Sequence, residues 1–473
     1  MRKTRTHEVI KTEMVASPEP NKQAAELRGA LLLLRSVLEN SPLANVLDDD
    51  ARVTTQMVYT NGVTLWLLIL QRLCGGQTLD QTVQYVLQHA SDLLPQNKRV
   101  REQTLSRSTS AYARARKRVS LSLIHQISSL ICKRLSEMSP PFFNGQRAFI
   151  LDGTTITLPP TPALRKAYPP ATNQHGESVW PIAQLMVASE VQSGCVLLPQ
   201  IDPMYGEQNA SEAEQARRIM LELPPNSLIL ADAAFGIYSI MHHVVARGHD
   251  GLLRMSHHRY QAVQRDAQLV AEGPNFRTYQ KSWKPSTKDR LTNPELAEDA
   301  AVDVRLHEVR LPCGDWLYLV TSLAVDATTA ADLYRRRYDV EFDIRDLKVT
   351  MDTEKIRARS LDMVHKELYT SIVAYNLVAQ FRRQAASANR VLPRRLRFTS
   401  VWTCFQYQLL YNKSQSVEVW LQQYDTALRT AGQMKVPNRS KPRSYPRQAH
   451  PRRPKTTNHQ KKKRIKKPNE PPE

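Results

Sequence analysis

Three acidic residues, Asp152, Asp232 and Glu341, stand where carboxylates could act together on a metal ion. Carboxylates that meet at one point repel one another strongly unless cations bind between them. Hard oxygen ligands suit Mg²⁺ or Mn²⁺, and two such ions suit in-line displacement at phosphorus. One ion would then activate an attacking water or 3′-hydroxyl, while the other would stabilise the leaving oxygen.

Two of the acids follow apolar segments that are typical of buried strands. Asp152 comes after AFIL and before GTT, and Asp232 comes after LILA. Burying a carboxylate without a partner is unfavourable, so an acid at either place indicates a functional residue or a residue that caps a neighbouring helix or turn. For Asp232, capping of the helix that follows is the alternative that stays open.

The third acid lies on a long predicted helix, on one face with three other polar residues. The four residues of this stripe are Tyr334, Arg337, Glu341 and Lys348. At about 100° per residue they fall within roughly 60° of one another. An ordinary charged surface helix is the alternative, because Glu341 has an arginine four residues before it and another four residues after it. If the helix packs against the sheet, Glu341 could meet both aspartates.

The elements that must hold these residues alternate between strand and helix after about residue 140. The predicted strands are Ala148–Leu158, Trp180–Ser189, Cys195–Ile201, Ser227–Ala231, Gly251–Met255, Val302–Val309 and Trp316–Thr321. The predicted helices in this part are Ser211–Leu223, Phe235–Arg247, Thr328–Lys348, Leu361–Arg383 and Val401–Asn412. This alternation predicts a mixed α/β sheet.

The N-terminal part is predicted to be helical. Gln23–Leu38 and Val63–Cys74 have helical patterns, and Thr78 with Gln81 forms a capping box that opens a further helix. The two helices joined by a glycine turn could form a DNA-binding helix-turn-helix or an ordinary hairpin. The basic segment Ser106–Leu123 could contact phosphates or form a solvated helix face.

The chain is strongly basic, and much of the excess charge lies at the C-terminus. It has 66 Lys and Arg against 45 Asp and Glu in 473 residues, a net charge of +21. Residues 435–473 hold 14 basic and two acidic residues, and their composition predicts a disordered tail. Such an excess fits a polyanionic partner, nucleic acid above all, although a solubilising tail would have the same composition.

Other classes of protein are excluded by composition. The longest apolar run, Val63–Leu70, is far shorter than the roughly 20 residues of a membrane span. The charged N-terminus lacks the apolar region of a secretory signal, and no Cys-x-x-Cys pair suggests a zinc site. We therefore expect a cytoplasmic protein with no membrane partner.

The stripe on the third helix matches the signature Y-x2-R-x3-E-x6-K, and here the chain resembles the DDE transposases of bacterial insertion sequences, specifically the IS4 group. The blocks LDGTT and LADAAFG around the two aspartates are also similar to the family, and so is STSAYARARKRVSL. The resemblance covers about residues 53–383, with the motifs in the family's order. Ala233-Ala234 departs from the Arg-Gly that is common after the second aspartate, which could alter DNA contacts.

The resemblance implies an α/β protein with an RNase H-like catalytic domain, that is, a mixed sheet flanked by helices. A β-rich insertion, an N-terminal helical domain and a disordered basic C-terminal tail accompany it. The implied ranges are an end-binding helical domain at 1–145, a catalytic core at 146–256 and 324–390, an insertion at 257–323, a C-terminal helical region at 391–434 and the tail at 435–473.

Carried over by position, the resemblance makes Asp152, Asp232 and Glu341 the catalytic residues and the ligands of two Mg²⁺ ions, which Mn²⁺ can replace. The remaining residues of the stripe would contact phosphates near the transposon end; they are Tyr334, Arg337 and Lys348. Trp316 in the insertion could stack on a flipped base, although a tryptophan in a strand more often belongs to the core.

The implied activity is cut-and-paste transposition: hydrolysis at the transposon ends, then transfer of the freed 3′-OH to target DNA. The implied partners are the double-stranded DNA of the terminal inverted repeats and of the target, bound by a dimer at the bacterial nucleoid. Two alternatives stay open, namely a metal-dependent nuclease of the same fold without strand transfer, and a DNA-binding protein derived from a transposase. The intact acids and stripe argue against the second.

Overall fold

A computed structural model describes residues 27–41, 43, 57–95, 97–173, 176–410, 413–414 and 416–437. Within them the fold is mixed α/β, with a nine-stranded sheet flanked by helices. The strands are β1 (Leu27–Arg28), β2 (Ala148–Thr157), β3 (Thr172–Asn173), β4 (Gly176–Glu177), β5 (Ile182–Glu190), β6 (Gln200–Pro203), β7 (Leu228–Ala231), β8 (Asp250–Arg254), β9 (Gln268–Gly273), β10 (Phe276–Trp283), β11 (Val302–Arg310), β12 (Trp316–Thr321) and β13 (Lys413–Ser414). The large sheet has the order β6-β5-β2-β7-β8-β12-β11-β10-β9, and β1–β13 and β3–β4 form two-stranded ribbons.

The centre of the large sheet consists of apolar strands covered on both faces. β2 pairs with β7 in parallel and with β5 antiparallel, and β8 continues the parallel part beyond β7. The first four residues of β2 and all of β7 are buried. Continuous apolar runs are what a sheet covered on both faces requires. The strands predicted over these two segments are therefore confirmed.

Residues 257–323 extend this same sheet. β12 pairs with β8, and β11, β10 and β9 follow outward by antiparallel pairing. The predicted strands Val302–Val309 and Trp316–Thr321 are confirmed, the first with one more residue. The register joins Leu319 to Arg254, so the beginning of β12 lies at the edge of the sheet where β8 ends.

Helices predominate towards both ends of the described chain and cover the sheet. They are α1 (Gly29–Leu38), α2 (Asn61–Leu73), α3 (Leu79–His89), α4 (Lys98–Arg101), α5 (Ser110–Arg118), α6 (Leu121–Glu137), α7 (Pro162–Ala167), α8 (Glu212–Met220), α9 (Tyr238–Ala246), α10 (His257–Gln264), α11 (Thr287–Thr292), α12 (Ala327–Arg335), α13 (Asp339–Arg345), α14 (Leu361–Ala388), α15 (Phe398–Phe405) and α16 (Val417–Gly432). The capping box of Thr78 and Gln81 is present at the start of α3, as predicted. None of the described helices combines the length and the apolar character of a membrane span.

The 28-residue α14 is the centre of the larger apolar core. Most of its residues between 368 and 386 are buried, and it packs against α2 and α6 of the N-terminal part and α16 of the C-terminal part. Ile156 at the end of β2 and Leu158 just after the strand belong to the same core. The strand that carries Asp152 is therefore anchored to helices from both ends of the chain.

One predicted strand, Cys195–Ile201, is wrong over most of its length. β6 begins at Gln200, and the buried residues before it form a loop. The side chain of Asn376 on α14 accepts from the Val196 N–H (2.8 Å) and donates to the Val196 carbonyl (2.7 Å). On its other side Val196 forms a single bridge with Ser189 of β5, so Asn376 takes the place of a second neighbouring strand, which an apolar pattern alone does not reveal.

The helix predicted over Thr328–Lys348 is present but irregular. It tightens to a 3₁₀ turn at Arg336–Tyr338 and widens to a π-helical turn at Asp346–Thr350, with α13 between them. A uniform 100° per residue is therefore wrong for Lys348.

The predicted tail at 435–473 is wrong at its start, because Lys435 pairs with Leu396 in a single bridge and the Val436 N–H donates to the Arg395 carbonyl (2.7 Å); its residues from 438 onward lie outside the described ones. The predicted first helix, Gln23–Leu38, begins only at Gly29, since Leu27–Arg28 form β1, and its residues 23–26 lie outside the described ones.

Candidate catalytic site

Two of the predicted acids lie side by side at one edge of the sheet. The parallel register of β2 and β7 aligns Leu151 with Ala231. Asp152 and Asp232 are the next residues after this pair, so they occupy neighbouring positions where β7 ends. Asp232 does not cap α9, whose N-cap is Ile237. Its Oδ1 accepts instead from the N–H of residue 234, which holds the turn after β7.

All three acids meet around one guanidinium group. Nη2 of Arg337 lies 3.6 Å from Oδ2 of Asp152 and 3.5 Å from Oδ2 of Asp232. Nη1 of the same side chain lies 2.9 Å from Oε1 of Glu341, four residues further along the chain. The structure therefore brings together the three carboxylates that the sequence singled out, and it places Arg337 among them.

The site opens towards solvent on the side of the third acid. The side chain of Arg337 is 11% exposed and that of Asp152 is 20% exposed, whereas Asp232 is 37% and Glu341 59% exposed. A substrate could therefore reach Glu341 and Asp232 directly, with Asp152 and Arg337 forming the floor.

The site holds more negative charge than one guanidinium balances. Burial raises the pKa of Asp152 from 3.8 to about 6, against the opposing effect of Arg337 and with the help of the neighbouring acids. Although burial opposes the charge of Arg337, the carboxylates raise its pKa above the ordinary value. The Nε of Arg337 is buried and has no hydrogen-bond partner among the described residues. Because three carboxylates surround one guanidinium, additional positive charge at this site would be stabilising.

These residues fit a divalent cation by charge and by ligand type. All three acids offer hard oxygen ligands, and three negative charges face a single positive one. In the arrangement seen here, no three His, Cys, Asp or Glu side chains among the described residues are grouped closely enough to hold an ion. The guanidinium of Arg337 lies between the three carboxylates and keeps them apart. An ion bound to all three would replace Arg337 in these contacts.

The other residues of the helical stripe lie at different depths. Nζ of Lys348 donates to Oγ1 of Thr154 (3.3 Å) and to the carbonyl of Thr155 (2.7 Å), on β2 just beyond Asp152. Tyr334 is only 2% exposed and belongs to the apolar cluster beneath the site, and burial raises its pKa. The stripe therefore reaches the β2 edge through Lys348, while Tyr334 packs in the core.

Trp316 lies at the surface rather than in the core. It is the first residue of β12 and is 39% exposed. Because β12 begins where β8 ends, Trp316 shares the edge of the sheet with the acids. β8 separates β12 from β7, so two strand spacings, roughly 10 Å, lie between the strand of Trp316 and that of Asp232.

One further contact at the site has no signal in the sequence. Nη1 of Arg259 on α10 donates to the carbonyl of Ala233 (2.7 Å) and holds the turn that follows Asp232. This arginine is 26 residues away in the chain. No motif or spacing connects the two positions, so only the fold reveals the contact.

A family model and a curated relative match this chain by sequence. The family model described as a transposase DDE domain matches residues 143–377. The transposase InsG for insertion sequence element IS4 of Escherichia coli (strain K12) is 25% identical over 311 residues. That alignment covers 61% of this chain and 65% of the relative, so it spans just under two thirds of the relative's length.

A solved structure gives a distant match. The cryo-EM structure of a piggyBac transposase synaptic complex with hairpin DNA has a TM-score of 0.42 and 9% sequence identity to this chain. The match covers 89% of this chain and 85% of that one. A likeness at this level does not locate a site.

Proposed function

Because the chain belongs to the IS4 family of DDE transposases, we propose that it catalyses cut-and-paste transposition of an insertion sequence. The observation that carries this proposal is the convergence of Asp152, Asp232 and Glu341 on one edge of the sheet, around Arg337. The substrates would be the double-stranded terminal inverted repeats and the target DNA. The catalytic core would be RNase H-like, with residues 257–323 as its insertion.

The three acids would hold the metal. DDE transposases use divalent metal ions, and we propose two Mg²⁺ ions that Mn²⁺ can replace. When bound, the ions supply an activated water or 3′-hydroxyl and stabilise the leaving oxygen. The chain brings the three ligands to one edge of the sheet: Asp152 lies on β2, Asp232 in the turn after β7, and Glu341 on α13.

Basic side chains around the acids would bind the phosphate backbone. Lys348 lies against β2 beyond Asp152, and Arg337 forms part of the floor of the site. Tyr334 lies in the core beneath Arg337, so a phosphate contact by its hydroxyl would require the site to open. Trp316, at the same edge, is the candidate for stacking on an unpaired base.

The remaining parts would bind DNA or support the catalytic core. We assign end binding to the helical part at 1–145, packing against the core to 391–434, and non-specific affinity to the basic tail at 435–473. Two copies of the chain would hold a pair of ends in one synaptic complex, at the nucleoid in the bacterial cytoplasm.

A strand-transfer assay tests the proposal. Purified protein, a labelled oligonucleotide with the inverted repeat that flanks the coding frame, and a supercoiled plasmid are incubated with Mg²⁺. We expect cleavage at the end and then a labelled oligonucleotide joined to the plasmid. Cleavage without a joined product would favour the nuclease, and binding without cleavage would favour the DNA-binding protein.

A substitution of the third acid tests the role assigned to the site. We expect Glu341→Gln to abolish cleavage while end binding, measured by mobility shift, stays nearly unchanged, because the side chain is more than half exposed and its loss disturbs little packing. If binding were lost as well, Glu341 would be a residue of the fold and not a metal ligand.

A further inference from the structure

The helix that carries Glu341 is too short and irregular to hold its own position. α13 has seven residues, between the 3₁₀ turn Arg336–Tyr338 and the π-helical turn Asp346–Thr350. Isolated helices of this length are unstable in water, so tertiary contacts must fix the segment. The contacts that do so decide where the Glu341 carboxylate lies.

A buried acid marks the opposite face of this helix. Asp343 is two residues after Glu341, which places it about 200° around the helix axis. Its side chain is 1% exposed, against 59% for Glu341. A carboxylate with so little exposure is strongly destabilising unless its charge is compensated.

The compensation comes from Arg394, in the turn between α14 and α15. Its Nη1 and Nη2 each lie 2.8 Å from a different carboxylate oxygen of Asp343, and its Nε donates to the carbonyl of Val191 (2.8 Å). Nε also lies 3.3 Å from Asp339, the first residue of α13. Although burial opposes the charge, Asp343 and Asp339 raise the pKa of Arg394 above its ordinary value. The planar guanidinium thus binds the Asp343 carboxylate through two nitrogens and also contacts Asp339, so it holds the helix at two positions.

The same acid is tied to the strand next to the one that carries Asp152. The hydroxyl of Ser189 on β5 donates to Oδ2 of Asp343. β5 pairs with β2, and the register aligns Ser189 with Ile150. Asp343 therefore connects α13 to the sheet on one side and to Arg394 on the other.

We propose that Arg394 is a positioning residue, which sets the Glu341 carboxylate against Asp152 and Asp232 by holding Asp343 and Asp339 on the buried face of α13. Arg394 lies beyond the matched residues 143–377, so the region after the DDE domain would take part in building its metal site. This inference rests on the proposed function, because it concerns the geometry of the same three acids.

Direct measurement of Mn²⁺ binding tests the inference without relying on catalysis. Free Mn²⁺ is followed by electron paramagnetic resonance during titration of the full chain, well below the melting temperature of each variant. We expect Arg394→Met and Arg394→Lys to weaken Mn²⁺ binding by about 10-fold, the lower end of the range for groups bonded directly to a metal ligand, because Arg394 acts on Glu341 through α13. Lysine keeps the positive charge but cannot bind both carboxylate oxygens of Asp343 at once. Compared with Arg394→Met, Arg394→Lys should therefore recover part of the melting temperature and little of the Mn²⁺ affinity.

A matched control separates positioning from general stability. Arg134 likewise connects two elements: its Nη1 donates to the carbonyls of Val37 (2.8 Å) and Glu39 (2.6 Å), so it joins α6 to the end of α1. Arg134→Met should lower the melting temperature and leave the Mn²⁺ affinity unchanged. Ser189→Ala is a milder change in the proposed network and should weaken Mn²⁺ binding even if Arg394→Met does not fold.

Two results would overturn the inference in different ways. If the Arg394 and Ser189 variants bind Mn²⁺ as the wild type does, although their melting temperatures fall, Arg394 has a structural role only. If the wild type and Glu341→Gln bind Mn²⁺ equally, the proposed metal site itself fails, and the inference fails with it.

Discussion

Replacing Asp152 by asparagine should stabilise the metal-free protein while it removes activity. In the folded chain burial raises the pKa of Asp152 from 3.8 to about 6. Ionisation of this carboxyl at neutral pH therefore destabilises the folded state relative to the unfolded one. Asparagine has nearly the same shape and carries no charge, so the variant avoids this penalty. The nearest nitrogen of Arg337 is 3.6 Å from the carboxylate, and Arg337 keeps its other two acids.

The size of the effect follows from the shift in pKa. One pKa unit corresponds to about 1.4 kcal/mol, so a rise of roughly two units corresponds to about 3 kcal/mol. The sign is set by proton binding: between pH 3.8 and about 6 the folded state binds more protons at Asp152 than the unfolded state. The contribution of Asp152 to the free energy of unfolding of the wild type therefore falls as pH rises through that window, and it stays low at higher pH. The free energy of unfolding of Asp152→Asn should therefore exceed that of the wild type by about 3 kcal/mol at pH 8 and by little at pH 4.

Chemical denaturation in EDTA at both pH values measures this advantage. Asp202→Asn is the matched control, because the Asp202 side chain is 14% exposed and accepts from Arg218 (2.5 Å) and Gln215 (2.7 Å). Loss of that ordinary ion pair should lower the free energy of unfolding at pH 8, opposite in sign to Asp152→Asn. Addition of Mg²⁺ should then stabilise the wild type and leave the Asp152 variant almost unchanged, since only a protein that binds the ion gains from it.

A lower free energy of unfolding for Asp152→Asn at pH 8 would refute this reasoning. It would mean that the carboxylate gains more from Arg337 than it loses by burial and by repulsion from Asp232. An equal advantage at pH 4 and pH 8 would also refute it, because the difference would then come from packing and not from ionisation.

Two further predictions concern DNA. Removal of residues 435–473 should weaken binding to all DNA sequences and reduce the slope of log K against log salt, as measured by fluorescence anisotropy; a loss confined to the transposon ends would contradict the assigned role. Trp316→Ala should lower the rate of end cleavage and leave the melting temperature nearly unchanged, because the side chain is 39% exposed; a clear fall in melting temperature would place Trp316 in the core instead.

The parts of the fold that the sequence predicts are those with a local signal. An apolar run followed by an acid predicts β2 and β7 together with Asp152 and Asp232, and a capping box predicts the start of α3. The segment Cys195–Ile201 has the apolar character of a strand, but residues 195–199 pair with β5 only through the bridge Ser189–Val196, and the Asn376 side chain that binds the other side of Val196 is 180 residues away. A pattern read along the chain contains no information about such a partner.

The centre of the site shows the same limit for charged groups. The signature identifies Arg337 as a basic residue one turn before Glu341, which is equally compatible with a contact to DNA and with an ion pair inside the protein. The net charge of +21 favours the first reading, but the local balance at the site is three acids to one base, opposite in sign to that of the chain. The guanidinium lies among the carboxylates because a buried charge is stabilised most by opposite charges within a few ångströms of it. Local pairing therefore decides where Arg337 lies, and net charge decides only which kind of partner approaches the protein.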